Sequence, residues 1–200
     1  MGEILEKLLA YFSQGGFVMP PLVIGAMVLW FALGFRLITL RRGNLRSVRI
    51  LVEKYLKGYE REPSGIIDTA VVRGIALARA GTVNLRRQLD AEYFDLEEEI
   101  GRYNVLVRAI VATAPLAGLL GTVAGMIETF DSLGDMSLFS QSGGIAGGIS
   151  LALFTTQMGL AVAIPGMLMG RILDRRQMLI EGELEKLKDI LCTMHTEGAI

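Results

Sequence analysis

Hydrophobic and polar residues follow one another in blocks along this chain, and the apolar blocks have membrane dimensions. Three stretches carry no charge: the residues between Lys7 and Arg36, the 19 residues Ala109 to Ile127, and the 35 residues Met136 to Gly170. A helix needs roughly 20 apolar residues to cross a hydrocarbon core of about 30 Å, so each stretch can span. The third is longer than necessary, since as one helix it would measure about 52 Å. Its Ser- and Gly-rich start, Met136 to Gly144, reads as a turn, and the span is expected to begin near Ile145. The pattern therefore predicts spans over 16–38, 109–127 and 145–170, joined by a polar region over 39–108 and a short loop over 128–144. A tail over 171–200 follows.

The polar blocks have a period of their own. Leu85, Leu89, Tyr93, Leu96, Ile100, Tyr103, Val107 and Ile110 recur every three or four residues. No proline intervenes before Pro115, which predicts one helix from about Asn84 through the second span and tens of ångströms of it outside the bilayer. Leu173, Ile180, Leu184, Leu187, Leu191 and Met194 continue the third span in the same way. These stripes can pack on each other within one subunit, and can also form a collar between identical subunits. Pro63-Ser64-Gly65 and Gly81-Thr82 mark breaks in the polar region. Residues 1–15, with Ile4, Leu5, Leu8, Leu9 and Phe12, suit a short amphipathic segment on the outer membrane face. No cleavable signal is expected before them, and Glu6 stands where a myristoylation motif wants Ser or Thr.

Composition agrees with an all-α integral membrane protein: 52% of residues are hydrophobic and 24 of 200 are glycine, with a mean hydropathy of +0.46. Charge sets the orientation. From Arg36 to Arg108 the chain carries 14 basic and 10 acidic residues, and Arg171, Arg175 and Arg176 follow the third span. The loop between spans two and three has Glu128, Asp131 and Asp135 and no basic residue. The positive-inside rule then puts the long middle region and the C-terminus in the cytoplasm, and the N-terminus and acidic loop outside. Cys192, the one cysteine, has no intramolecular disulfide partner.

Small residues line one side of the second span: Ala114, Gly118, Gly121 and Gly125, with Thr122 beside them. The third has a matching face of Gly148, Ala152, Thr155, Gly159, Ala163, Gly166 and Gly170. Such faces admit close backbone approach to each other, to a neighbouring subunit or to a central partner helix. Thr122 and Thr156 are the hydroxyls singled out, each able to bond its own helix carbonyl or to hold water or an acid from another chain. Gln157, opposite Gly148, is expected between helices. Pro115 and Pro165 free the carbonyls of Val111 and Ala161. No titratable residue lies in the middle of any span, so a proton carrier has to come from a partner.

Ala114-Pro-Leu-Ala-Gly-Leu-Leu-Gly-Thr-Val-Ala-Gly-Met-Ile127 resembles the second-span signature of the MotA/TolQ/ExbB proton-channel family. Gly147-Gly-Ile-Ser-Leu-Ala-Leu-Phe-Thr-Thr-Gln-Met-Gly-Leu-Ala-Val-Ala-Ile-Pro-Gly166 is similar to its third span. The resemblance is closest to the ExbB branch, since MotA-type members have four spans. It implies a ring-forming homo-oligomer, a pentamer, around two helices of an ExbD-type single-span protein in a bacterial inner membrane. Proton flow past a membrane Asp of that partner would drive a TonB-type protein and energise outer-membrane transport. The family's threonines near that acid correspond to Thr122 and Thr156. Many ExbB and TolQ proteins carry a Glu after the Ile-Ser of the third span; here Leu151 stands there, and MotA-type stators also manage without that Glu. The partner Asp would then work alone.

The alternatives are a TolQ-like or stator-type motor subunit and a non-conducting membrane scaffold. An intramembrane protease using Ser150 would need a base, and the one histidine, His195, is some 25 residues past the last span. No enzymatic chemistry, cofactor, metal or nucleic-acid partner is expected.

Overall fold

The computed structural model describes residues 16–43, 47–57, 65–81, 84–134 and 144–197. The amphipathic segment, Pro63-Ser64, Thr82 and the loop residues 135–143 lie outside the described residues. After a short 3-10 turn at Gly16–Val18, helices α1 (Met19–Thr39), α2 (Val48–Leu56), α3 (Ile66–Arg79), α4 (Leu85–Gly101), α5 (Asn104–Gly134) and α6 (Gly144–Thr196) follow in order. Pro20 and Pro21 sit in the first turn of α1, where their missing N–H groups cost nothing. Pro115 and Pro165 lie inside α5 and α6. Among the described residues three helical runs, Gly16–Thr39, Leu85–Asp131 and Ile145–Thr196, are long and apolar enough to cross a membrane.

The second of these runs is not one helix, contrary to the sequence expectation. α4 stops at Gly101, and Tyr103 takes a φ of 63° before α5 begins. A non-glycine residue in the left-handed region costs about 1–2 kcal/mol, so tertiary contacts must hold it there. The Tyr103 ring meets Phe35 edge-on with centroids 5.2 Å apart, and the Arg102 guanidinium lies over both rings at 5.7 and 5.3 Å. Asn104 Nδ2 donates to Gln177 Oε1 at 3.2 Å. Periodicity alone carried no sign of this break except Gly101, a weak helix former.

The chain divides into two units. The first comprises residues up to Leu33 and Val105–Gly170. Its burial is inverted with respect to a water-soluble protein. Small residues such as Ala32, Ala114, Ala152 and Ala163 are buried alongside Leu22 and Leu29, while Trp30, Phe31, Leu116, Leu119, Leu153 and Leu168 are exposed. Large apolar side chains facing outward suit a lipid solvent, and close helix contact is left to the small ones.

The second unit comprises Gly34–Asn104 and Arg171–Ile200. Here both apolar stripes turn inward: Leu85, Leu89, Tyr93, Leu96 and Ile100 of α4 are buried, as are Leu173, Ile180, Leu184, Leu187 and Leu191 of α6. Tyr93 donates its hydroxyl to the Ala70 carbonyl of α3 at 2.7 Å. Gly74 is a glycine because a Cβ there would collide with the Tyr93 hydroxyl and Leu191. Arg36, the charge that ends the first uncharged stretch, is only 1% exposed. Its Nη2 donates to Asp174 at 3.0 Å and to Gln177 at 2.7 Å. A buried guanidinium needs such partners.

Charge also joins α4 to the tail. Lys188, 3% exposed, lies 2.8 Å from Asp90, 3.0 Å from Glu97 and 2.9 Å from Glu185. Arg86 adds pairs with Glu185 at 2.6 Å and with Asp189. Burial opposes the Lys188 charge, but the hydrogen bonds it donates to the three carboxylates outweigh it and raise its pKa. The bond from Lys188 holds the Asp90 carboxyl below its ordinary value. The Asp90 contribution is therefore present above the ordinary 3.8 and lost as pH falls through the lowered folded value. The Lys188 contribution is complete below 10.5 and lost as pH rises through the raised folded value. Lys188→Met should lower stability at pH 7 by about 1–2 kcal/mol, a figure discounted for the half-exposed carboxylates. Thermal melts in detergent should show the deficit narrowing as pH drops towards 3, because the wild type loses its Lys188–Asp90 bond while the variant keeps only the weaker attraction of Arg86 to Asp90.

Candidate functional site

Within the first unit, α5 and α6 approach so closely that their backbones meet. A Cβ added at Gly159 would lie 2.7 Å from the Ala114 carbonyl oxygen, and one at Gly125 would lie 2.6 Å from that of Gly148. At Gly118 it would stand 3.0 Å from the Thr155 carbonyl oxygen and 3.1 Å from Thr156 Cα. Gly121 faces the Thr155 side chain, and Gly148 faces the Thr129 hydroxyl. The four-three-four spacing of small residues on α5 thus meets its counterpart on α6 in one seam. Gly166 admits α1 as well, since Leu29 and Val111 occupy the space a Cβ would need. Ala152 and Ala163 are buried along the same seam.

The hydroxyls fall into two groups. Thr155 is wholly buried and donates to the carbonyls of Leu151 and Ala152 at 3.0 and 3.1 Å. Thr129, 4% exposed, donates to the Gly125 carbonyl at 2.8 Å. Both fill the gap opposite a glycine. Thr122 and Thr156 are half-buried instead. Thr122 donates to the Leu119 carbonyl at 2.6 Å. Thr156 lies 3.3 Å from the Ala152 carbonyl oxygen of its own helix and 3.4 Å from that of Gly118 on α5. A hydroxyl that donates to a helix carbonyl keeps its lone pairs, so each can still accept from a protonated acid or a water outside the protomer.

Sequence reasoning placed Thr155 on the small face without seeing that its hydroxyl packs the space at Gly121. Thr129 was missed, although it stands four residues after Gly125 and continues the same stripe. Leu151 is half-buried, with its methyl carbons 3.4 and 3.7 Å from the Cβ position of Gly16. It packs at the start of the first span. Gln157, expected between helices, is exposed on the protomer, because the small face of α6 takes the inward position and turns the opposite side out.

A family model described as the MotA/TolQ/ExbB proton channel family matches residues 63–186. The chain is similar to the biopolymer transport protein ExbB-like 3 of Synechocystis, with 33% identity over 141 residues, 64% of this chain and 67% of that protein. Similarity to ExbB of Aquifex aeolicus is 36% over 90 residues, 44% of this chain and 60% of that one. With the Tol-Pal system protein TolQ of Pseudomonas aeruginosa it shares 31% identity over 121 residues, 60% of this chain and 48% of the relative.

The seam yields a contrast between glycines. Gly159→Ala puts a methyl against the Ala114 carbonyl and should destabilise by about 1–3 kcal/mol through forced separation of α5 and α6. Gly182→Ala meets nothing within 4 Å and should stabilise by about 0.8–1 kcal/mol through helix propensity. Thermal unfolding of the two purified variants checks both signs; a neutral Gly159→Ala would show that the helices do not touch there.

Proposed function

The chain belongs to the MotA/TolQ/ExbB proton channel family, and on that premise we propose that it is an ExbB-type subunit of an inner-membrane motor driven by the proton-motive force. In this reading identical subunits form a ring around a helix pair from an ExbD-type partner. Proton flow then moves that pair and energises TonB-dependent outer-membrane transport. The observation that carries the reading is a pairing of presence and absence. The spans offer half-buried hydroxyls at Thr122 and Thr156 but no titratable side chain in their middle. A carrier that changes charge in hydrocarbon needs solvation, and here another chain would bring the acid while the ring solvates it.

Three further features support the proposal. Gln157 presents an amide on the outside of a membrane-spanning helix, where lipid offers no hydrogen bond and a neighbouring protein chain does. Arginines follow the first and third spans while the loop after α5 is acidic, which favours a periplasmic N-terminus and a cytoplasmic second unit. The energy is sufficient, since one charge moved through 100 mV releases about 2.3 kcal/mol. The TolQ relative keeps a Tol-type envelope motor as the second reading, with the same chemistry and a different partner.

Thr→Val preserves shape while removing donor and acceptor. The double variant Thr122→Val/Thr156→Val should lower proton flux by tenfold or more in proteoliposomes containing the ring and its ExbD-type partner. Native mass spectrometry should show the same oligomer as wild type. Undiminished flux would mean that these hydroxyls only cap their own helices, and a stable monomer as the sole species would remove the ring.

A further inference from the structure

Where α1 ends, residues 40–43 turn beside α6 and enclose an open hollow of about 450 Å³. Its floor is apolar, formed by Leu40, Leu179 and Ile180, and its rim is cationic, formed by Arg41, Arg42 and Arg176. One of these charges is answered: Arg42 Nε donates to Glu183 at 2.6 Å, with both side chains about a quarter exposed. Arg41 and Arg176 are exposed, and among the described residues neither has a carboxylate within ion-pair distance. The turn that displays them is firmly held. The Ile66 N–H donates to the Arg41 carbonyl at 3.2 Å. Gly43 has a φ of +90°, and Gly65 lies so close that a Cβ there would stand 2.5 Å from Gly43 Cα.

The level of the hollow along the chain identifies its solvent. Arg41 comes two residues after the end of α1, and Arg176 six residues after Gly170, the last uncharged residue of the third span. Both therefore stand where hydrocarbon gives way to headgroups. Leu179 is 63% exposed and Ile38, just before the turn, 67%. Guanidiniums alone would suit any small anion in water, but here they share the hollow with the exposed Leu179. That combination matches an amphiphile with an anionic head and an alkyl tail. Guanidinium binds phosphate oxygens in a two-pronged fashion, and basic pockets between spanning helices on this side of a bilayer suit anionic headgroups.

We propose that the hollow binds the phosphodiester headgroup of an anionic phospholipid between Arg41 and Arg176, with the start of its acyl chain on the exposed Leu179. The assignment to the cytoplasmic leaflet rests on the orientation proposed above; the binding itself does not. Such a lipid would tie the end of α1 to α6 without any contact from the partner.

The test uses the detergent-solubilised protein in native mass spectrometry, titrated with phosphatidylglycerol, phosphatidylcholine or inorganic phosphate. Wild type should retain phosphatidylglycerol over phosphatidylcholine, and Arg41→Gln/Arg176→Gln should weaken that retention about tenfold or more. The melting temperature without lipid should be unchanged, because both residues are exposed. Equal retention by the variant, or equal retention of the two lipids by wild type, would overturn the site. Displacement of the lipid by millimolar inorganic phosphate would also overturn it, by making it a free-anion site. The readout needs no proton flux, so selective lipid retention by a non-conducting protein supports the site while counting against the motor.

Discussion

The seam between α5 and α6 is the constraint on which the rest depends. Hydrocarbon offers no hydrophobic force between helices, so association relies on backbone proximity and on hydrogen bonds that lipid cannot supply. Glycines at 118, 125 and 159 remove the Cβ atoms that would otherwise meet a facing carbonyl. Threonine side chains fill the space opposite Gly121 and Gly148. Thr155 and Thr129 fill space and satisfy themselves on their own carbonyls, while Thr122 and Thr156 stay half-buried at its margin. The space-filling hydroxyls and those proposed to solvate the partner's acid thus come from the same packing and differ in how far they stand from its centre.

Charge is sorted with equal strictness. The spans are free of it in their middles, whereas the second unit uses it as glue. Lys188 collects three carboxylates from α4 and from its own turn, and Arg86 joins α4 to the tail through Glu185 and Asp189. Arg36 lies buried near the boundary, bound to Asp174 and Gln177 of α6. These links hold the end of α1 and the length of α4 against α6, beside the arginine-rimmed hollow. In the proposed motor the partner would bring the acid, and the ring would keep its own charges out of the path.

The register of the apolar stripes was legible because a 3.6-residue period says which residues share a face. Leu85 to Ile100 and Leu173 to Leu191 are buried as that period requires. The continuity of the helix from Asn84 was not legible. The break at Arg102 and Tyr103 is maintained by Phe35, nearly seventy residues earlier in the chain, and no local window contains that contact.

By itself the sequence determined the number and place of the apolar spans, the helical class, the two small faces and the absence of titratable groups in mid-span. All of these are one-dimensional properties, set by composition and by the period of a single helix. Tertiary structure decided what the faces touch. It put the small stripes of α5 and α6 against each other within one protomer and turned Gln157 outward. It also made Arg36 a buried ion-pair partner and left Arg41 and Arg176 around a hollow. A periodic pattern states which residues share a face, and only packing in three dimensions assigns that face its neighbour.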